Sequence, residues 1–136
     1  MPNAFRFLVI CLGAMQRLDE RLVTLSGIVN HLETSKGQPV DLAAIVGLIL
    51  APDMKGKSLD LMAWRLGKKG EPDRIPGYAG TPLILPDGLG PLVLPYSISV
   101  PIQESGIYGF YLFDRQGAFG SKETLLATYT YSVTVN

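Results

Sequence analysis

The chemistry open to this chain starts from its rarest side chains. His31 is the single histidine, Cys11 the single cysteine and Trp64 the single tryptophan. Any histidine-dependent acid–base or nucleophilic mechanism must run through His31, because imidazole ionises near neutral pH. Ser35, Asp41 and Cys11 could accompany it. No serine here stands in a nucleophile-elbow pattern, and a triad is an arrangement in space rather than along the chain. A histidine that ends a strand beside the polar stretch 33–39 ordinarily takes a surface or hydrogen-bonded place, so no catalytic residue is assigned. One cysteine excludes an internal disulfide and a multi-thiolate zinc site. Inside an apolar run, the expected role of Cys11 is that of a small buried hydrophobe.

Asp53 and Asp60 bracket the segment DMKGKSLD, and Asp41, Asp87 and Asp114 fall at other loops. A calcium site needs several oxygen ligands converging at short range, and Lys55 and Lys57 would oppose a cation between the first two. Aspartate in a turn usually serves the turn itself. No metal and no other cofactor is therefore expected. The glycine pairs Gly77/Gly80 and Gly88/Gly90 lack the strand–loop–helix setting that cradles a phosphate, which leaves them as turn formers.

The aromatic residues are the better lead. Trp64 falls on the polar face of its segment with Met62 and Asp60, and Tyr78 lies in a stretch rich in proline and glycine. Exposed aromatics beside polar groups serve as sugar platforms and protein interfaces. The plainer expectation places Trp64 beneath that long loop as a satellite of the core. A second candidate surface is the row Thr128, Thr130, Ser132 and Thr134, if the last strand is an edge open to another chain. Its plainer counterpart is a solvated sheet face.

These side chains must be held by strands. Residues 125–135 alternate: Leu125, Ala127, Tyr129, Tyr131, Val133 and Val135 point one way and the hydroxyl row the other. A period of two with β-branched and aromatic residues is the mark of a half-buried strand. Residues 107–113 are apolar on both faces and fit a strand inside the sheet, so this closing hairpin is expected at the centre of the fold, turned at 114–117 on Gly117. Residues 4–14 and 42–51 are also apolar throughout. Residues 22–32 form a further strand in which Gly27 marks a bulge or a close backbone approach. Residues 58–66 alternate, and 92–102 resume strand character with Leu94, Tyr96, Ile98 and Val100 as the core face and Pro95 suited to an edge. Between them, residues 71–91 hold five of the ten prolines and read as a long irregular connection, with a short edge strand at 83–85. Helical turns are confined to 41–45 or 121–125. About seven or eight strands at this spacing predict a single all-β domain over 1–136, an antiparallel sandwich of immunoglobulin-like or C2-like kind.

Composition narrows the partners. The chain is 47% hydrophobic, only 18% charged and carries no net charge. It has no electrostatic footprint for nucleic acid, and low charge favours self-association or docking. The apolar run 7–15 is too short for a membrane span, which takes about 20 residues, and a cytoplasmic protein is the default expectation.

Several segments together resemble a family of small uncharacterised bacterial domains of unknown function. They are the opening apolar strand with its cysteine, LVTLSGIVNHL, QPVDLAAIVGLIL, SLDLMAWRLGKKGEP and the closing SGIYGFYLFDRQG. The family often has Gly-Lys where this chain has Glu20-Arg21. The resemblance implies a single β-sandwich and carries no catalytic residue. The leading expectation for function is a non-catalytic protein-interaction or assembly module, with another protein or a second copy as partner. The alternative is carbohydrate binding by the exposed aromatics, and a hydrolase using His31 comes third.

Overall fold

In the computed structural model, which describes residues 6–16, 23–67, 69–115 and 125–136, the alternating and doubly apolar runs are strands. In chain order they are β1 (Phe7–Gln16), β2 (Val23–Ile28), β3 (His31–Thr34), β4 (Pro39–Leu50), β5 (Ser58–Leu66), β6 (Pro72–Arg74), β7 (Thr81–Ile84), β8 (Gly90–Pro101), β9 (Gly106–Phe113) and β10 (Leu125–Val135). A 3-10 turn at Pro52–Met54 separates β4 from β5. The first sheet has the order β2-β1-β4-β8, and the second runs β3-β10-β9-β5-β6 with β7 also paired to β5. The pairs are antiparallel except β3 with β10, which is parallel. The fold is thus the expected all-β, two-sheet sandwich, with more strands than the seven or eight anticipated.

Two local causes account for the extra strands. The run 22–32 is not one strand, because the chain changes sheet in its middle. Gly27 takes φ +68° against the Leu12 side chain, the close approach its position foretold. Val29 N then donates to Ile10 O, and Ser132 N donates to Asn30 O. Two neighbouring residues therefore join different sheets. The proline-rich stretch 71–91 holds two short strands, β6 and β7, rather than one. Of the two helical turns allowed from sequence, 41–45 is extended within β4; the other, like Gly117, lies outside the described residues except for Leu125 at the start of β10.

Alternation decides which face is buried. Leu8 and Ile10 of β1, the even residues 42–50 of β4, and Ile98 and Val100 of β8 face inward. Opposite them lie Leu59, Leu61 and Ala63 of β5, Tyr108, Phe110 and Leu112 of β9, and Tyr131 and Val133 of β10. Phe110 and Tyr131 stack at 5.5 Å with planes 15° apart. Each fully buried large side chain contributes about 1.5–3 kcal/mol. As expected, β9 is interior, between β10 and β5. β8 closes the first sheet, and its Pro91, Pro95 and Pro101 are all odd-numbered, so they share one side of the strand. A residue without an N–H fits a strand that is paired on only one side, and it blunts pairing by another chain there. No helix among the described residues is long and apolar enough to cross a membrane.

Candidate functional site

The outer face of the second sheet carries the aromatic chemistry. On β5 the core takes the odd residues, so Asp60, Met62 and Trp64 point outward. Cross-strand register then sets their neighbours. Asp60 pairs with Phe113, Met62 with Tyr111 and Trp64 with Gly109 across β9. On the far side of β9, Tyr111 pairs with Thr128, Gly109 with Thr130 and Ile107 with Ser132. Ser132 in turn pairs with His31 and Thr134 with Glu33. With strands about 4.8 Å apart, the Thr row lies about 10 Å from the Trp64 row. The two surfaces that the sequence offered separately are one face.

Gly109 builds the platform. A Cβ there would stand 2.7 Å from the Tyr111 hydroxyl and 2.8 Å from its ring, so the tyrosine lies down over the glycine and covers it. That brings Tyr111 to 4.7 Å from Trp64, ring centre to ring centre, tilted by 39°. Phe113 meets Trp64 edge-on at 5.9 Å. All three residues are half-buried. The Arg115 guanidinium sits 5.0 Å from the centre of the Phe113 ring, and its Nε lies 3.9 Å from Asp60 Oδ2. The cluster is therefore bounded by a charged pair on one side and by the exposed hydroxyls of Thr128 and Thr130 on the other. It can offer apolar contact to a flat ligand face and hydrogen bonds to its polar rim.

Trp64 is half-buried, and across β6 it pairs with Arg74 of the proline-rich stretch. It packs on β9 because register places a glycine opposite it. Tyr78 does enter the structure from that loop, but toward the interior. Its hydroxyl donates to Leu61 O at 3.1 Å and meets Thr81 Oγ1 at 2.8 Å. Burial pushes that hydroxyl above its ordinary pKa, and the bond to Thr81 draws it back in part. Trp64 and Tyr78 therefore do not form a common platform; Tyr111 and Phe113 stand where Tyr78 was expected. Their signal was present in the alternation of residues 107–113, but the partner strand was not.

Topology closes only half of the edge expected along Thr128, Thr130, Ser132 and Thr134. β10 lies between β3 and β9, and Ser132–Val135 are paired on both sides. β3 is only four residues long, so among the described residues no strand pairs with the outer side of β10 over Leu125–Tyr131. The four hydroxyls project from the sheet face, not from its edge.

His31 joins the same face rather than a catalytic group. Its Nδ1 lies 2.6 Å from Ser132 Oγ and its Nε2 3.3 Å from Thr134 Oγ1, and the ring is exposed. A neutral imidazole supplies one donor and one acceptor, so both nitrogens are occupied by hydroxyls. Asp41 and Cys11 belong to strands of the first sheet, and Ser35 makes no bond to the ring; the trio does not assemble around His31. Among the described residues no cluster of three or more His, Cys, Asp or Glu is placed to hold a metal ion.

No family model matches the chain. No curated protein matches it either. The likeness to small bacterial domains accordingly rests on strand and turn patterns alone. Among solved structures, a family 123 glycoside hydrolase from Clostridium perfringens, described in terms of glycolipid glycan hydrolysis, overlaps 83% of this chain at 12% identity with a TM-score of 0.39. The chain spans about a quarter of that enzyme's length, 24% of it, and an overlap this loose carries no argument for activity.

Proposed function

We propose that the outer face of the second sheet is a non-catalytic carbohydrate-binding surface. The observation that supports it is the contiguous set Trp64, Tyr111 and Phe113, half-exposed and flanked by Thr128 and Thr130. A sugar ring presents C–H groups on its faces and hydroxyls around its rim. Aromatic faces accept the first, and threonine hydroxyls, each both donor and acceptor, take the second. A protein-docking module would draw on the same rings, but the row of exposed hydroxyls gives this surface a polarity that matches a hydrated sugar better than the apolar centre of a protein interface.

Trp64 is the single tryptophan, so its fluorescence reports the site directly. A panel of soluble plant, fungal and bacterial polysaccharides is expected to contain at least one that shifts the emission to the blue and retards the protein in affinity electrophoresis. Trp64→Ala is expected to abolish the retardation while circular dichroism stays unchanged. An emission spectrum that no polysaccharide moves, with no retardation, sinks the reading.

A further inference from the structure

The ring geometry of the outer face also bears on the shape of the sugar chain it could take, an inference that rests on the sugar-binding reading. The three rings stand on two neighbouring strands, Trp64 on β5 and Tyr111 and Phe113 on β9. Neighbouring strands are rotated by about 20–25°, so side chains on them share a plane only if their rotamers undo the twist. These rotamers do not. The Trp64 and Tyr111 planes cross at 39° with centres 4.7 Å apart, and Trp64 meets Phe113 at 62° over 5.9 Å. Packing holds both arrangements. Tyr111 lies over Gly109, where a Cβ would stand 2.8 Å from its ring. Phe113 has the Arg115 guanidinium 5.0 Å from its ring centre.

Register sets these rings in a row that runs across the strands. Arg74 of β6 pairs with Trp64, Trp64 with Gly109, and Gly109 with Thr130 of β10. Because the Tyr111 ring covers Gly109, the row reads polar, aromatic, aromatic, polar over four adjacent strands. Both end residues are exposed. At about 4.8 Å per strand the row spans about 14 Å, room for a short stretch of one sugar chain laid across the sheet. The two tilted rings take sugar faces in succession, and Arg74 and Thr130 meet rim hydroxyls at either end.

We infer that this row takes a single glycan chain that winds helically, and not a flat ribbon or a crystalline polysaccharide surface. In a β-1,4-linked glucan alternate rings are turned over, so their faces lie in nearly one plane. Such a chain, seated flat on Trp64, leaves the Tyr111 plane at 39° and loses contact with that ring. In β-1,3- and α-1,4-linked glucans each ring is rotated from the last in the same sense. Successive faces then tilt, as the two aromatic planes do. Shape, rather than charge or composition, is what this row discriminates.

Glucans suit the test because linkage changes their winding while composition stays constant. The full chain is titrated calorimetrically with laminarihexaose (β-1,3), maltohexaose (α-1,4) and cellohexaose (β-1,4), and sedimented with microcrystalline cellulose. At least one of the first two is expected to bind about tenfold or more tightly than cellohexaose, with the protein left in the supernatant. Laminarihexaose alone identifies β-1,3 chains, maltohexaose alone α-1,4 chains, and both together the shared winding. Tyr111→Ala, which removes the second plane, is expected to narrow the preference to under about threefold; Tyr111→Phe, which keeps the ring, retains it. Cellohexaose binding as tightly as the others, pelleting with cellulose, or a preference that survives Tyr111→Ala would overturn the inference and leave the sugar-binding reading standing. So would silence from all three hexaoses while another polysaccharide still retards the protein. No retardation by any polysaccharide removes both.

Discussion

The outer faces of the two sheets use the same device to different ends. On the first sheet Phe7 lies over Gly47, where a Cβ would stand 2.1 Å from its ring; on the second Tyr111 lies over Gly109. In both cases an aromatic ring covers the backbone of a glycine on its sheet. On the first sheet the ring joins Val9, Val93, Cys11, Ala43 and Ile45, and Cys11 and Ile45 are fully buried although they face away from the main core. Burial pushes the Cys11 thiol above its ordinary pKa. On the second, the ring joins Trp64 and Phe113 beside exposed threonines. An aromatic on a glycine is therefore neither a structural nor a functional mark by itself. Its neighbours decide which it becomes: aliphatic side chains complete a satellite core, whereas hydroxyls and a charged pair leave the rings partly open.

That contrast can be broken at several points. Ile45→Ala removes a fully buried side chain from the first sheet's outer cluster and is expected to cost about 2–5 kcal/mol in urea denaturation. A cost under 1 kcal/mol would mean that this face is not a packed layer. The paired glycine substitutions sharpen the comparison further. Gly47→Ala and Gly109→Ala each force a ring aside and are expected to cost about 1–3 kcal/mol. Only Gly109→Ala is expected to alter Trp64 emission and weaken polysaccharide retardation; equal effects of both on binding would erase the distinction between the faces.

A smaller effect comes from Tyr96, which reaches across the sandwich so that its hydroxyl donates to Ile84 O at 2.9 Å. Burial pushes this hydroxyl up to about 12 from the ordinary 10. The folded state thus holds the proton more tightly than the unfolded chain. The stability it brings is complete below pH 10 and falls as pH rises from 10 toward 12. Tyr96→Phe is expected to cost about 1 kcal/mol at neutral pH and to flatten part of the alkaline decline, as measured by melting temperature against pH. A decline as steep as in the wild type would assign it to other groups. The smallest stability effect is expected at Thr128→Ala, within about 0.5 kcal/mol, because its side chain is exposed. Polysaccharide retardation should nonetheless weaken, and unchanged retardation would remove the hydroxyl row from the site.

Much of the fold was legible because strand alternation is local. The inward sets on β5, β8 and β10 follow from a period of two, and so does the outward place of Trp64. The doubly apolar runs 4–14 and 42–51 marked the first sheet's central strands, since β1 and β4 each bury residues on both faces. The break at Val29–Asn30 was not legible, because residues 22–32 keep a continuous strand pattern while the hydrogen bonds pass from Ile10 to Ser132. Nor was the partner that covers the end of β10. Its sequence is that of any half-buried strand, and only the parallel partner β3, about a hundred residues earlier in the chain as the His31–Ser132 contact shows at a separation of 101, closes its side over Ser132–Val135.

What the sequence determined by itself was therefore the identity and facing of each strand: all-β, two-faced, with one tryptophan pointing away from the core and four hydroxyls in line. Tertiary structure decided the company those residues keep. Register put Gly109 opposite Trp64, laid Tyr111 between Trp64 and Thr128 and turned Tyr78 inward. Alternation is written in each residue's two nearest neighbours, but register is a choice among pairings of distant segments, settled by the burial of both sheets at once.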